Sequence, residues 1–256
     1  MGVAQAHTAL QIGKFHHLYY LMQILLKSKF CLIPESTGLT LRGFSCIKPL
    51  NIRGFMKTPE SELFEIAETQ QGYFTFQQAT AAGFSDKNHA YHIKTGDWVK
   101  AFRGIYRLAK YPVGEREELV LWFLWSRNRS NVPQGVYSHY TALDLYELSD
   151  NMPSKLHMTV PLGFRRMAKI PEILILHRDN LHTDEIVMKQ GYKVTTPLRT
   201  LIDVLEDSVL SEDLLMQAVQ DAKKKGLITK YAIEANQRYP AKVAERLLKM
   251  MEEAYG

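Results

Sequence analysis

The sequence is short of cysteine, of acid at one end and of long apolar runs. Its two cysteines, Cys31 and Cys46, both lie before residue 56. The chain beyond them can build neither a disulfide framework nor a thiolate metal centre. The longest apolar stretch, Leu18 to Leu26 (LYYLMQILL), is too short to cross a bilayer core of about 30 Å. No small-residue cleavage site of the secretory kind accompanies it. These absences lead us to expect a cytoplasmic chain with no membrane partner. Among the first 55 residues Glu35 is the only acid, against Lys14, Lys27, Lys29, Arg42, Lys48 and Arg53. That imbalance accounts for the whole formal net charge of +5, so the rest of the chain is neutral. Overall charge is then no argument for a nucleic acid partner, and only a local cluster could be one.

Catalytic signatures are missing too. There is no P-loop, no G-x-S-x-G, no H-E-x-x-H and no G-S-x-D-x-D nucleotidyltransferase run. No E-x-K follows a suitable strand acid, which weakens a restriction-type nuclease reading. His139 and Asp144 share a predicted helix, and His157, His177 and His182 lie in or near predicted strands. Spacing does not bring them together. Ser138 and His139 read as a helix start, since neighbours on a helix do not face one another. Arg199 and Asp203 sit one turn apart and read as a surface pair worth about 0–1 kcal/mol. Arg165-Arg166 reads as a solvated pair or a grip for nucleic acid. No catalytic residue, metal ligand or cofactor is assigned.

What is present begins at Met56. Residues 1–55 have no sustained period, and we expect a poorly ordered tail or an over-extended reading frame. From MKTPESELFEIAETQQ onward the signals sharpen. Thr58 can cap a helix, Pro59 fits its first position, and Leu63, Ile66 and Ala67 follow at helical spacing. Thr75 and Gln78 have capping-box spacing, which predicts a helix from Phe76 to about Gly83. Ser85 opens a third helix, about Asp86 to Lys94, closed by Thr95-Gly96. Two strands follow, Trp98–Phe102 and Gly104–Leu108, joined around Arg103-Gly104. Three short helices and a hairpin are the order of a winged helix-turn-helix.

On a helical wheel His89 falls with Ile93, Asp86 and Ala90, and His92 at the boundary. Lys87, Asn88, Tyr91, Lys94 and Thr95 fall opposite, a set suited to phosphates and base edges. Arg103 and Arg107 follow in the hairpin. Phe84 to Tyr111 holds six Lys and Arg against two Asp, a local excess within a neutral body. The candidate DNA-binding residues are therefore Ser85, Lys87, Asn88, Tyr91, Lys94, Thr95, Arg103 and Arg107. The histidines read as core or boundary residues rather than a zinc site, which would need further ligands nearby.

After Pro112 the pattern changes. Helices are predicted at Glu115–Arg127 and Ser138–Leu148, and strands at Lys155–Val160, Glu172–Leu176 and Tyr192–Thr195. A helix opens at Thr196-Pro197, and a helical C-terminus carries Ala244, Leu247, Leu248 and Met251 at i, i+3, i+4, i+7. The fold class is α+β. Residues 56–112 form the winged helix, and residues 113–256 a mixed α/β domain ending in helices.

GYFTFQQATAAGFS, GDWVKAFRGIYRL, SHYTALDLYELSD, MTVPLGFRR and above all GYKVTTPLRTLIDVL resemble the AbiE-type (AbiEi-like) antitoxins of bacterial type IV toxin–antitoxin (abortive infection) systems. The resemblance implies an N-terminal winged helix, a C-terminal antitoxin domain and repression of the chain's own operon at double-stranded operator DNA. It also implies a nucleotidyltransferase toxin countered without a stable complex. Family recognition helices are usually richer in arginine than NHAYHIK, so operator sequence does not carry over. The alternative is a nuclease-like enzyme whose winged helix only docks DNA.

Overall fold

The structure is a computed structural model that describes residues 57–149, 153–167, 169–207 and 209–253. The expectation for residues 1–55 lies outside these. The described residues form one compact unit of mixed α and β structure.

The first elements are α1 (Pro59–Glu68), β1 (Tyr73–Thr75), α2 (Phe76–Ala81), α3 (Asp86–Thr95), β2 (Trp98–Phe102) and β3 (Ile105–Leu108). Local chemistry fixes their ends. Thr58 Oγ1 accepts from Ser61 N–H at 3.2 Å, and Pro59 occupies the first turn of α1. Thr75 and Gln78 close both halves of a capping box at α2. Gly96, at φ 82°, ends α3 in the left-handed region that glycine adopts without steric cost. The strands form an antiparallel sheet in the order β1-β3-β2. Leu63, Ala67, Phe74, Ala79, Phe84, Trp98 and Tyr106 build a core between helices and sheet.

The second part holds α4 (Glu118–Trp125), β4 (Val136–Tyr137), α5 (His139–Leu145), β5 (Leu156–Val160), β6 (Leu174–Arg178), β7 (Ile186–Met188) and β8 (Lys193–Thr195). A mixed sheet runs β6-β5-β4-β8-β7. Four helices follow: α6 (Pro197–Asp207), α7 (Glu212–Lys224), α8 (Lys230–Ala235) and α9 (Ala241–Glu253). Leu201, Leu205, Leu215, Val219, Leu247 and Met251 bring their apolar stripes into one core.

The line at residue 112 does not divide the packing. Tyr73 of β1 and Ile105 of β3 belong to the same core as Leu119, Phe123, Tyr137 and Val194. Polar contacts repeat the join. Asn131 Nδ2 donates to Thr75 Oγ1 at 3.0 Å, and Gln71 Nε2 donates to Gln190 O at 3.0 Å. Among the described residues no helix is long and apolar enough to cross a membrane.

Candidate nucleic-acid interface

α3 turns one side to the core and the other to water. His89 is 3% exposed, with its ring 4.4 Å from Phe76 and 5.3 Å from Trp98. His92 stacks on Trp98 at 4.8 Å, half-buried at the edge. Opposite them Lys87, Asn88, Tyr91, Lys94 and Thr95 are all exposed. Lys87 and Lys94 have no carboxylate partner among the described residues, and neither does Arg103 at the exposed β2–β3 turn. A hydrated cation free of its own counter-ion is what a phosphate can exchange for. Asp86 and Ala90, expected on the inner side, are exposed. The core under this ten-residue helix is small and covers little more than His89, Ile93 and His92.

Three candidates need qualification. Ser85 is exposed at the start of α3 but makes no side-chain capping bond. Thr95 Oγ1 donates to Asp97 at 2.7 Å and so is partly committed. Arg107 is a correction. Its side chain is 11% exposed, Nε lies 3.1 Å from Glu117 Oε2, and Nη2 donates to Tyr111 O at 2.8 Å. Strand alternation turns Arg107 toward α4, and a counter-ion from beyond residue 112 neutralises it. It ties the two parts of the chain, with its charge already met by Glu117.

A second polar group gathers in the mixed sheet, where sequence spacing gave no convergence. His139, His157 and His177 come from α5, β5 and β6. His157 Nδ1 lies 3.0 Å from His177 Nε2, and the rings of His139 and His177 stack at 3.5 Å. Ser138 and His139 do meet, with Oγ 2.9 Å from Nδ1. Ser138 precedes the helix in extended conformation, and His139 is left-handed at φ 49°, so the rule for helix neighbours does not apply. Asp203 Oδ2 lies 3.9 Å from the same Nδ1. A nucleophile–base–acid relay needs serine and acid on opposite ring nitrogens. Here both face one nitrogen, and Ser138 is fully buried. Burial, then the neighbouring imidazoles, holds His139 down at about 3. Burial and His177 hold His157 at about 4. The rings stack rather than surround a point, and no group of three His, Cys, Asp or Glu among the described residues is arranged to hold a metal ion.

Arg199 sits beside this group. Nε donates to Asp203 at 2.7 Å, Nη2 to Asp179 at 2.5 Å and Nη1 to Glu185 at 3.3 Å. Its side chain is 14% exposed, and those of Glu185 and Asp203 are 3% exposed. The expected surface pair is therefore a buried network, which spacing along α6 could not reveal because two of its acids come from distant segments. Burial raises Asp203 to about 7 against the pull of Arg199.

Residues 61–109, from α1 to just beyond β3, match the family described as "Transcriptional regulator, AbiEi antitoxin". No curated protein matches the chain. Among solved structures the chain is similar to the RV2827C protein from Mycobacterium tuberculosis, at 12% identity over 77% of each chain and a TM-score of 0.48.

Proposed function

We propose that the chain is a DNA-binding antitoxin that represses its own operon. In this reading residues 56–112 are a winged helix-turn-helix, with α3 as recognition helix and the β2–β3 turn as wing. The observation that carries it is the exposed face of α3, where, among the described residues, Lys87 and Lys94 stand without counter-ions around Asn88 and Tyr91. This face lies inside the segment that matches a transcriptional regulator family. Lysines supply sequence-independent phosphate affinity, and Asn88 has the amide that reads adenine in the major groove. Residues 113–256 are the antitoxin part and counter a nucleotidyltransferase toxin without a stable complex. No residue is assigned to catalysis.

Two measurements test the reading. Purified protein incubated with a duplex from upstream of its own reading frame, and with plasmid in a magnesium and manganese series, should retard DNA and leave it uncut. Metal-dependent cutting would establish the nuclease alternative. Co-expression with the neighbouring reading frame should relieve that gene's toxicity, and a neighbour that is harmless alone would remove the antitoxin role.

A further inference from the structure

Beyond the hairpin, two segments of the second part carry cations and no acid. Residues 119–143 contain Arg127 and Arg129 but no Asp or Glu, and residues 151–171 contain Arg165 and Arg166 but no Asp or Glu. The fold brings both to the β2–β3 turn. Arg127 Nη2 donates to Gly104 O at 3.2 Å, and Nη1 donates to Leu124 O at 2.9 Å. Gly104 has φ 71°, and a Cβ there would stand 3.0 Å from Arg127 Nη2, so the turn is shaped around this guanidinium. Arg166 Nη1 in turn donates to Arg127 O at 2.9 Å, while its guanidinium lies 4.8 Å over the Trp125 ring.

The pair is uncompensated. Arg127 and Arg166 are half-buried and have no carboxylate partner among the described residues; the Nε of Arg166 is buried without any hydrogen-bond partner. Burial lowers the pKa of both, and Arg166 lowers that of Arg127 further. Cations held together without an acid favour the arrival of an anion. Arg129, two residues past Arg127 in the turn closed by Asn131 N–H to Asn128 O (3.1 Å), and Arg165, next to Arg166, are exposed and have no carboxylate partner among the described residues.

We propose that this arginine cluster is a second phosphate-binding site of the DNA interface, by which the second part of the chain grips the duplex backbone beside the β2–β3 turn. Arg129 and Arg165 contact phosphate, while Arg127 and Arg166 position the turn and supply positive field. The inference rests on the proposed reading of α3 and extends the footprint past residue 112. The site carries affinity without sequence information, because phosphate contacts do.

The test is the salt dependence of binding to a mixed-sequence DNA duplex, measured by fluorescence anisotropy on the full chain. Arg129→Ala/Arg165→Ala is compared with Lys87→Ala/Lys94→Ala and wild type. All four positions are exposed, so thermal melts should coincide. With slope about −0.9 per phosphate contact, the arginine double variant should lose about 1.8 units of slope and bind roughly 30-fold more weakly near 0.15 M salt. Wild-type slope and affinity in that variant, with the lysine variant impaired, would overturn this site and leave α3 standing. Impairment of the arginine variant alone would uphold the site and remove the α3 assignment. A wild-type chain that does not bind duplex would overturn both.

Discussion

Arg199 meets Asp179, Glu185 and Asp203 with a guanidinium that is mostly covered, and two of those acids are covered almost completely. Removing the guanidinium strands Glu185 and Asp203 without solvent or counter-charge. Arg199→Ala is therefore expected to cost about 3–5 kcal/mol, the range for breaking a buried pair, rather than the small cost of an exposed one. Urea unfolding measures it, and a loss within the surface-pair range would refute the buried network. The stacked histidines give a pH signature. His139 and His157 titrate near 3 and 4 in the folded chain, below the unfolded value of about 6.5. Between those values the unfolded chain binds protons that the folded one refuses. Stability falls on acidification through that window, by about 1.4 kcal/mol per pH unit for each histidine. Asp203, raised to about 7, acts in reverse: its contribution is full below the unfolded value of about 3.9 and lost as pH rises through 7. Two histidines outweigh one aspartate. The melting temperature should drop from pH 6.5 to 4.5, and His139→Asn should make the drop shallower. A temperature that holds or rises over that range would contradict the buried neutral rings.

At the scale of elements, the sequence was most legible where side chains fix a helix end. Thr58-Pro59, the Thr75/Gln78 box and Gly96 each speak through local bonds, and the boundaries of α1, α2 and α3 follow them. The paired strands β2 and β3 were also legible, because Arg103-Gly104 marks their turn. β1, β4 and β7 were not. They span two or three residues, too few to show a period, and exist because partner strands supply their hydrogen bonds. The Arg107–Glu117 pair was illegible for a related reason: it depends on how α4 lies against β3. Thr75 has a further role that sequence did not show, since Asn131 donates to the same hydroxyl that caps α2. Thr75→Ala should accordingly cost about 2 kcal/mol, the upper end of the cap range. A chemical melt reads this, and a loss of a few tenths would mean the two bonds contribute nothing together. On α3, Asn88→Ala should relax preference at one base pair by roughly 1–3 kcal/mol while leaving mixed-sequence affinity nearly intact.

Across the described residues, packing joins the two sides of the composition change at Pro112. Tyr73 and Ile105 lie in a core with Leu119 and Phe123, so a fragment ending at residue 112 would expose them. Such a fragment should melt well below the full chain even though it keeps the whole of α3. The packing shows no division at that line among the described residues. The sequence could sort the exposed face of α3 from its inner one because helical periodicity separates Lys87, Asn88, Tyr91 and Lys94 from His89 and Ile93 without knowledge of anything else. It could not place the histidine cluster, the Arg199 network or the arginines under the turn, since each forms only when distant strands and loops meet. The proposed function stands on the α3 face holding the chain's own operator. It is tested most directly by anisotropy titration of the intact chain against a duplex from upstream of its reading frame and a scrambled duplex of equal length. The wild type should prefer the upstream duplex, and Lys87→Ala/Asn88→Ala/Lys94→Ala should lose both the preference and most of the affinity while melting normally. Wild-type binding by that triple variant would contradict the account.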